Sequence, residues 1–154
     1  MKKHLNNNLY IKIHENMPIV CVDIIIKNND GEFLLVKRNE EPVKSKWWFV
    51  GGRVLKNESL VAAARRKVLE ETGLEIESLA TIMGGCELFF DGDPFGHMNG
   101  THVITTCFSA NLLKDNYEVV LDSFHAEYRF FKVIDMKWNE YLVNCLKEAG
   151  FSQN

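Results

Sequence analysis

The chain contains no apolar run approaching the roughly 18 residues that a membrane-spanning helix needs. Its opening, MKKHLNNNLY, also lacks the apolar stretch of about 7–15 residues that marks a secretory signal. Both absences lead us to expect a cytoplasmic protein with no membrane partner. Cysteines are few and scattered: Cys21, Cys86, Cys107 and Cys145 show neither C-x-x-C spacing nor a neighbouring histidine pair. That pattern excludes the common zinc sites and reads as reduced core thiols. Positive charge is not in excess either. A formal net charge of −3 gives no basic footprint for a nucleic-acid backbone, so no polymeric nucleic acid is expected as a partner. No internal repeat, low-complexity tract or linker interrupts the chain.

What is present suffices for one core. The 154 residues are 46% hydrophobic and 25% charged, the balance of an ordinary soluble domain of single-domain length. Residues 1–16 are polar and uneven and read as an N-terminal extension, in which Leu9, Tyr10, Ile11 and Ile13 suit a short strand or arm. Residues 17–154 read as a single domain. From Pro18 the run IVCVDIII is rich in β-branched residues, NNDGE suits a hairpin turn, and FLLVKR reads as the returning strand. WWFV then runs as a short buried strand into Gly51 and Gly52.

From Ser59 to Thr72, Leu60, Ala64 and Val68 recur at helical spacing and Gly73 supplies a stop, predicting a helix. Three β-leaning stretches follow, around 76–90, 102–112 and 127–134, the first two separated by the long loop DGDPFGHMNG. Asp135 is a candidate cap for a last helix over 136–149. This order predicts an α/β protein of the α+β type, a mixed β-sheet sandwiched between helices.

One segment carries chemistry. Between Gly52 and Leu74 the chain reads GRVLKNESLVAAARRKVLEETGL, a glycine-led loop entering a helix whose last turn holds Glu70 and Glu71. Mg²⁺ prefers hard oxygen ligands, a few carboxylates completed by phosphates and water, so a loop carbonyl and a helix carboxylate make a partial cage. Arg53, beside the glycines, adds a charge for phosphate. Taken alone, Glu70 and Glu71 would be ordinary solvent-facing helix charges, and Lys67 with Glu71 an i,i+4 pair worth about 0.2–0.5 kcal/mol.

The spacing resembles the Nudix signature, G-x5-E-x7-R-E-U-x-E-E-x-G-U with U aliphatic, at Gly52, Glu58, Arg66, Val68, Glu70, Glu71, Gly73 and Leu74. It departs where the signature has its first helix glutamate, a position held here by Lys67. The resemblance implies the Nudix fold, a Mg²⁺ held mainly by Glu71 with the Gly51 carbonyl and Glu70 nearby, and a Glu58–Arg66 pair that ties loop to helix. Further strings, VDIII, GEFLLVKR, P-x4-W, GGRV-x-K-x-E and H-x-x-YR, resemble the GDP-mannose mannosyl hydrolase branch of that family over most of the chain.

That branch also lacks the signature glutamate and uses a histidine as general base. The resemblance therefore implies hydrolysis of a nucleotide sugar such as GDP-mannose, with His125 as the base. It also implies that Arg38 and Arg53 act on the diphosphate and that Asp23 lies near the leaving group. Three further positions differ from the branch: Val50 replaces a proline, Phe124 an oxygen ligand of the metal, and Val103 an aromatic hydroxyl. His97 and His102 are given no role. Two other readings stay open: a pyrophosphohydrolase that cuts a P–O–P bond, and a nucleotide-binding module with little turnover. Tyr10 and Trp47, read as exposed aromatics, suggest a two-fold homodimer, the commonest assembly.

Overall fold

The β-branched run at the start of the expected domain forms the central strand of the protein. The computed structural model describes residues 5–153. Helix α1 (Asn7–Asn16) leads into β1 (Ile19–Lys27), β2 (Phe33–Arg38), β3 (Trp47–Trp48), β4 (Val50–Arg53), helix α2 (Leu60–Thr72), β5 (Ala80–Phe90), β6 (Thr101–Asn111), β7 (His125–Phe131) and helix α3 (Glu140–Glu148). β1 pairs antiparallel with β2 and β4 and parallel with β6, so the seven-stranded sheet is mixed. The β1–β2 turn is the expected hairpin, with Asn28 Oδ1 accepting from the N–H groups of Asp30 and Glu32 and Gly31 at φ 74°.

Side chains on a strand alternate between faces, and here the alternation sorts the core into two layers. Val22, Ile24 and Ile26 of β1, with Leu34 and Val36 of β2, pack on one face against Ala63, Ala64 and Val68 of α2. Ile25, Phe33 and Leu35 pack on the other against Tyr141, Leu142, Cys145 and Leu146 of α3. The expected sheet between helices is the observed architecture. The four cysteines are free thiols, two of them fully buried.

α2 begins and ends as its sequence predicts. Ser59 Oγ accepts from the Ala62 N–H at the start, and Gly73 closes the helix in the left-handed region at φ 70°. Two expectations need correction. The short strand or arm read over 9–13 is part of helix α1, capped by Asn6, whose Oδ1 accepts from the Asn8 N–H. The last helix starts at Glu140, because Asn139 caps it through the Tyr141 N–H, while Asp135 instead closes a turn onto the Lys137 N–H.

The aromatics that suggested a dimer are engaged within the protomer. Tyr10 lies under the Arg53 guanidinium, and Trp47 packs edge-on against Phe131.

Gly51 lets β4 approach β1 closely. A Cβ on Gly51 would collide with the Val22 carbonyl oxygen and come within 3.0 Å of the Asp23 Cα. We expect Gly51→Ala to displace β4 and lower stability by about 1–3 kcal/mol, the usual cost of overpacking. A denaturant midpoint indistinguishable from the parent protein would show that β4 has room to spare.

Candidate functional site

Residues of β1, β2, β4 and β7, together with the last turns of α2 and with α1, line a cleft of about 590 Å³. Asp23, Arg38, Arg53, Lys67, Glu71 and His125 all line it, from five different elements. The segments are fixed to one another by buried polar contacts. Arg66 of α2 holds Glu58 through paired contacts of 2.8 and 2.9 Å and donates to the Arg53 carbonyl at 2.9 Å. This clamps the loop between β4 and α2 onto the helix, and the Glu58 hydrogen bond raises the Arg66 pKa further. The loop after residue 112 is pinned to the end of α2 by the Val120 and Asp122 N–H groups, which donate to the carbonyls of Thr72 and Glu71.

His125 opens β7 opposite Arg38 of β2, at a register shift in the ladder. Its side chain is 2% exposed, with Nδ1 2.7 Å from Asp122 Oδ1. A carboxylate only accepts, so this contact puts the ring proton on Nδ1 and leaves the Nε2 lone pair directed elsewhere. Nε2 is buried without a hydrogen-bond partner; Glu71 Oε2, at 3.7 Å, lies beyond hydrogen-bond range. Arg38 Nε is likewise buried and unpartnered. Two unsatisfied groups, an acceptor and a cationic donor, thus line one cleft, and such groups in a folded protein need a reason.

Asp23 lies deeper, on the α3 face of β1. Its Oδ2 accepts from Thr105 Oγ1 at 2.8 Å and from the Tyr141 hydroxyl at 2.9 Å. Burial pushes its carboxyl up to about 6, against the opposing pull of those hydrogen bonds and of Arg38. The Tyr141 hydroxyl is also raised, by burial first and then by the Asp23 charge. Above the cleft, α1 contributes Tyr10, whose ring sits 4.0 Å from the Arg53 guanidinium carbon.

A NUDIX domain model matches residues 17–148. The chain belongs to the Nudix family. It is 33% identical over 117 residues to the low-salt glycan biosynthesis protein Agl8 of Haloferax volcanii, covering 76% of this chain and 72% of that one. It is also 33% identical to an ADP-ribose pyrophosphatase of Methanocaldococcus jannaschii over 113 residues, which span 72% of this chain and 61% of the relative. A MutT NUDIX hydrolase from Burkholderia pseudomallei shares the fold, with a TM-score of 0.67 at 22% identity over 86% of this chain and 98% of that one.

Within this Nudix domain the residues read from the sequence gather in one cleft, Glu70 excepted. Its side chain is 46% exposed and turns to Arg66 Nη1 at 3.0 Å. Asp122 escaped the sequence reading, and Tyr10 was read as an exposed aromatic and not as a residue of the cleft. The D-x-x-H spacing of Asp122 and His125 was the available signal for the first, and nothing local pointed to the second. His97 contacts His14 of α1 and His102 stacks on Phe89, both away from His125.

Nudix hydrolases generally use a divalent metal such as Mg²⁺, and here the side chains that would hold one are already engaged. Glu71 Oε1 is 2.6 Å from Lys67 Nζ, and Glu71 Oε2 accepts from the Gly51 N–H at 3.2 Å. Phe124 offers no side-chain oxygen, and its carbonyl accepts from the Asn39 N–H. Among the described residues no three His, Cys, Asp or Glu side chains converge to hold a metal. As arranged, these donors do not fit a divalent ion, which requires several free oxygens.

Asp23 generates a test of the electrostatics. Because its folded pKa lies above the ordinary 3.8, its contribution to stability is fully present below pH 3.8 and is lost as pH rises through about 6. At neutral pH, burying the ionised group costs about 3 kcal/mol. Asp23→Asn should therefore melt above the parent protein at pH 7, the gap closing below about pH 4. A constant gap across that window would show that Asp23 does not titrate as described.

Proposed function

We propose that this Nudix protein hydrolyses a nucleoside diphosphate sugar, of which GDP-mannose is the first candidate, releasing free sugar and nucleoside diphosphate. The observation that carries the reading is the buried His125 imidazole, with Nδ1 engaged by Asp122 and Nε2 free at the cleft. Water placed at Nε2 gives up a proton to the ring as its oxygen bonds to the anomeric carbon. The bond from that carbon to the diphosphate oxygen breaks, and the leaving group takes the electron pair. Arg38 and Arg53 face the developing negative charge, where cations fixed in place before the bond breaks stabilise it without reorganisation. Asp23 stands beside the leaving group and, through Tyr141 and Thr105, is held in one orientation.

The named relatives agree with this substrate class, one being a glycan biosynthesis protein and another an ADP-ribose pyrophosphatase. The second favours a competing reading in which water attacks phosphorus and a P–O–P bond breaks. A Mg²⁺ on Glu71 and the Gly51 carbonyl, with Glu70 beside it, belongs to that reading and requires Lys67 to withdraw from Glu71. No helix of the described residues is long and apolar enough to cross a membrane. We place the reaction in the cytoplasm and write it for a single chain, since Tyr10 and Trp47 are engaged within it.

The test is turnover of His125→Gln on a panel of nucleoside diphosphate sugars. We expect kcat to fall by about 10²–10⁴-fold with KM little changed, the usual share of a general base that acts only in the transition state. Asp122→Asn should cost less, because the base remains while its orienting carboxylate is lost. Near-parental turnover by His125→Gln would remove the base from the mechanism and leave attack at phosphorus as the better reading.

A further inference from the structure

Lys67 stands where the Nudix signature places a carboxylate, and its side chain enters the cleft instead of leaving the helix for solvent. It is 18% exposed, with Nζ 2.6 Å from Glu71 Oε1 and 3.9 Å from Glu70 Oε2. Its stem crosses Gly52 so closely that a Cβ there would lie 2.8 Å from Lys67 Cε. The Glu71 side chain is only 5% exposed. A carboxylate so buried needs a compensating charge, and the ammonium with the Gly51 N–H supplies it on both oxygens.

From this contact we infer that Lys67 is the resident cation of the site, holding the place on Glu71 that a divalent ion would take. The protein then binds a diphosphate without metal. The inference rests on the nucleoside diphosphate reading given above. An ammonium donates three hydrogen bonds. One is spent on Glu71, and the others are available to phosphate oxygens in the cleft that Lys67 lines together with Arg38 and Arg53. Three cations then face the diphosphate, while Glu71 is neutralised from within the chain. The arrangement suits a leaving group that must be held and stabilised, and it requires no metal-bound nucleophile because His125 activates the water. A divalent ion brought to Glu71 would meet a fixed positive charge at the same oxygen.

The experiment is a Mn²⁺ titration followed by electron paramagnetic resonance, paired with calorimetric binding of GDP, ADP and UDP in excess EDTA. Parental protein should bind Mn²⁺ no more tightly than millimolar and still bind a nucleoside diphosphate in EDTA. Lys67→Glu, which restores the signature carboxylate, should gain at least about tenfold in Mn²⁺ affinity. Lys67→Met should lose at least about tenfold in diphosphate affinity. Since that variant leaves Glu71 buried and unpaired, the double variant Lys67→Met, Glu71→Gln provides a neutral site that should fold and show the same loss. Micromolar Mn²⁺ binding by the parental protein would overturn the assignment, whatever the nucleotides do. Diphosphate binding that appears only with Mn²⁺ would overturn it as well. If none of the three nucleotides bound with or without Mn²⁺, the substrate reading would fall, while the Mn²⁺ titration would still decide the role of Lys67.

Discussion

Burying the Glu71 carboxylate is the constraint around which the cleft is organised. A nearly inaccessible anion is tolerated only where both oxygens are matched, and here each match recruits a different part of the chain. Oε2 takes the Gly51 N–H and so fixes β4. Oε1 takes Lys67 and so turns that side chain inward. The backbone carbonyl of the same residue accepts from Asp122, the residue that in turn holds His125. Loss of the Glu71 charge would therefore loosen the hold on β4 and on Lys67 together, while the backbone contact to Asp122 would remain. The Glu58–Arg66 clamp serves the same end from outside, since Arg66 also holds the Arg53 carbonyl and so ties the end of β4 to α2.

The sheet makes this possible by separating tasks between its faces. The α2 face of β1 is wholly apolar in Val22, Ile24 and Ile26. The opposite face carries Asp23, which α3 meets with Tyr141 and β6 with Thr105. A carboxyl held near the middle of the titration range at the floor of the cleft costs stability at neutral pH. Strained or costly groups gather at functional sites more often than elsewhere. His125 is positioned by pairing of another kind: β7 runs antiparallel to β2, and the register shift at Lys37 and Arg38 sets Arg38 beside it.

Much of this was legible in the sequence where the signal was local. The IVCVDIII run, the Asn and Gly turn, and the Ser59 to Gly73 helix are each dictated by short-range preferences, and each appears as expected. So too was the Lys67–Glu71 pair, which helix spacing alone suggested. What tertiary contacts decide was not legible. Residues 7–16 form a helix whose Tyr10 and His14 pack against Phe95 and Arg53, partners far along the chain. The direction taken by Glu70, toward Arg66 and away from the cleft, depends on where Glu58 already holds that arginine. Asp122 lies in an irregular loop whose place is set by backbone bonds to the end of α2.

The central claim is that His125 delivers water to the sugar carbon. It is tested most directly by hydrolysing a nucleoside diphosphate sugar in ¹⁸O-labelled water and weighing the products by mass spectrometry. Attack at carbon places the label in the released sugar and leaves the nucleoside diphosphate unlabelled. Label in the phosphate product, with none in the sugar, would contradict the claim.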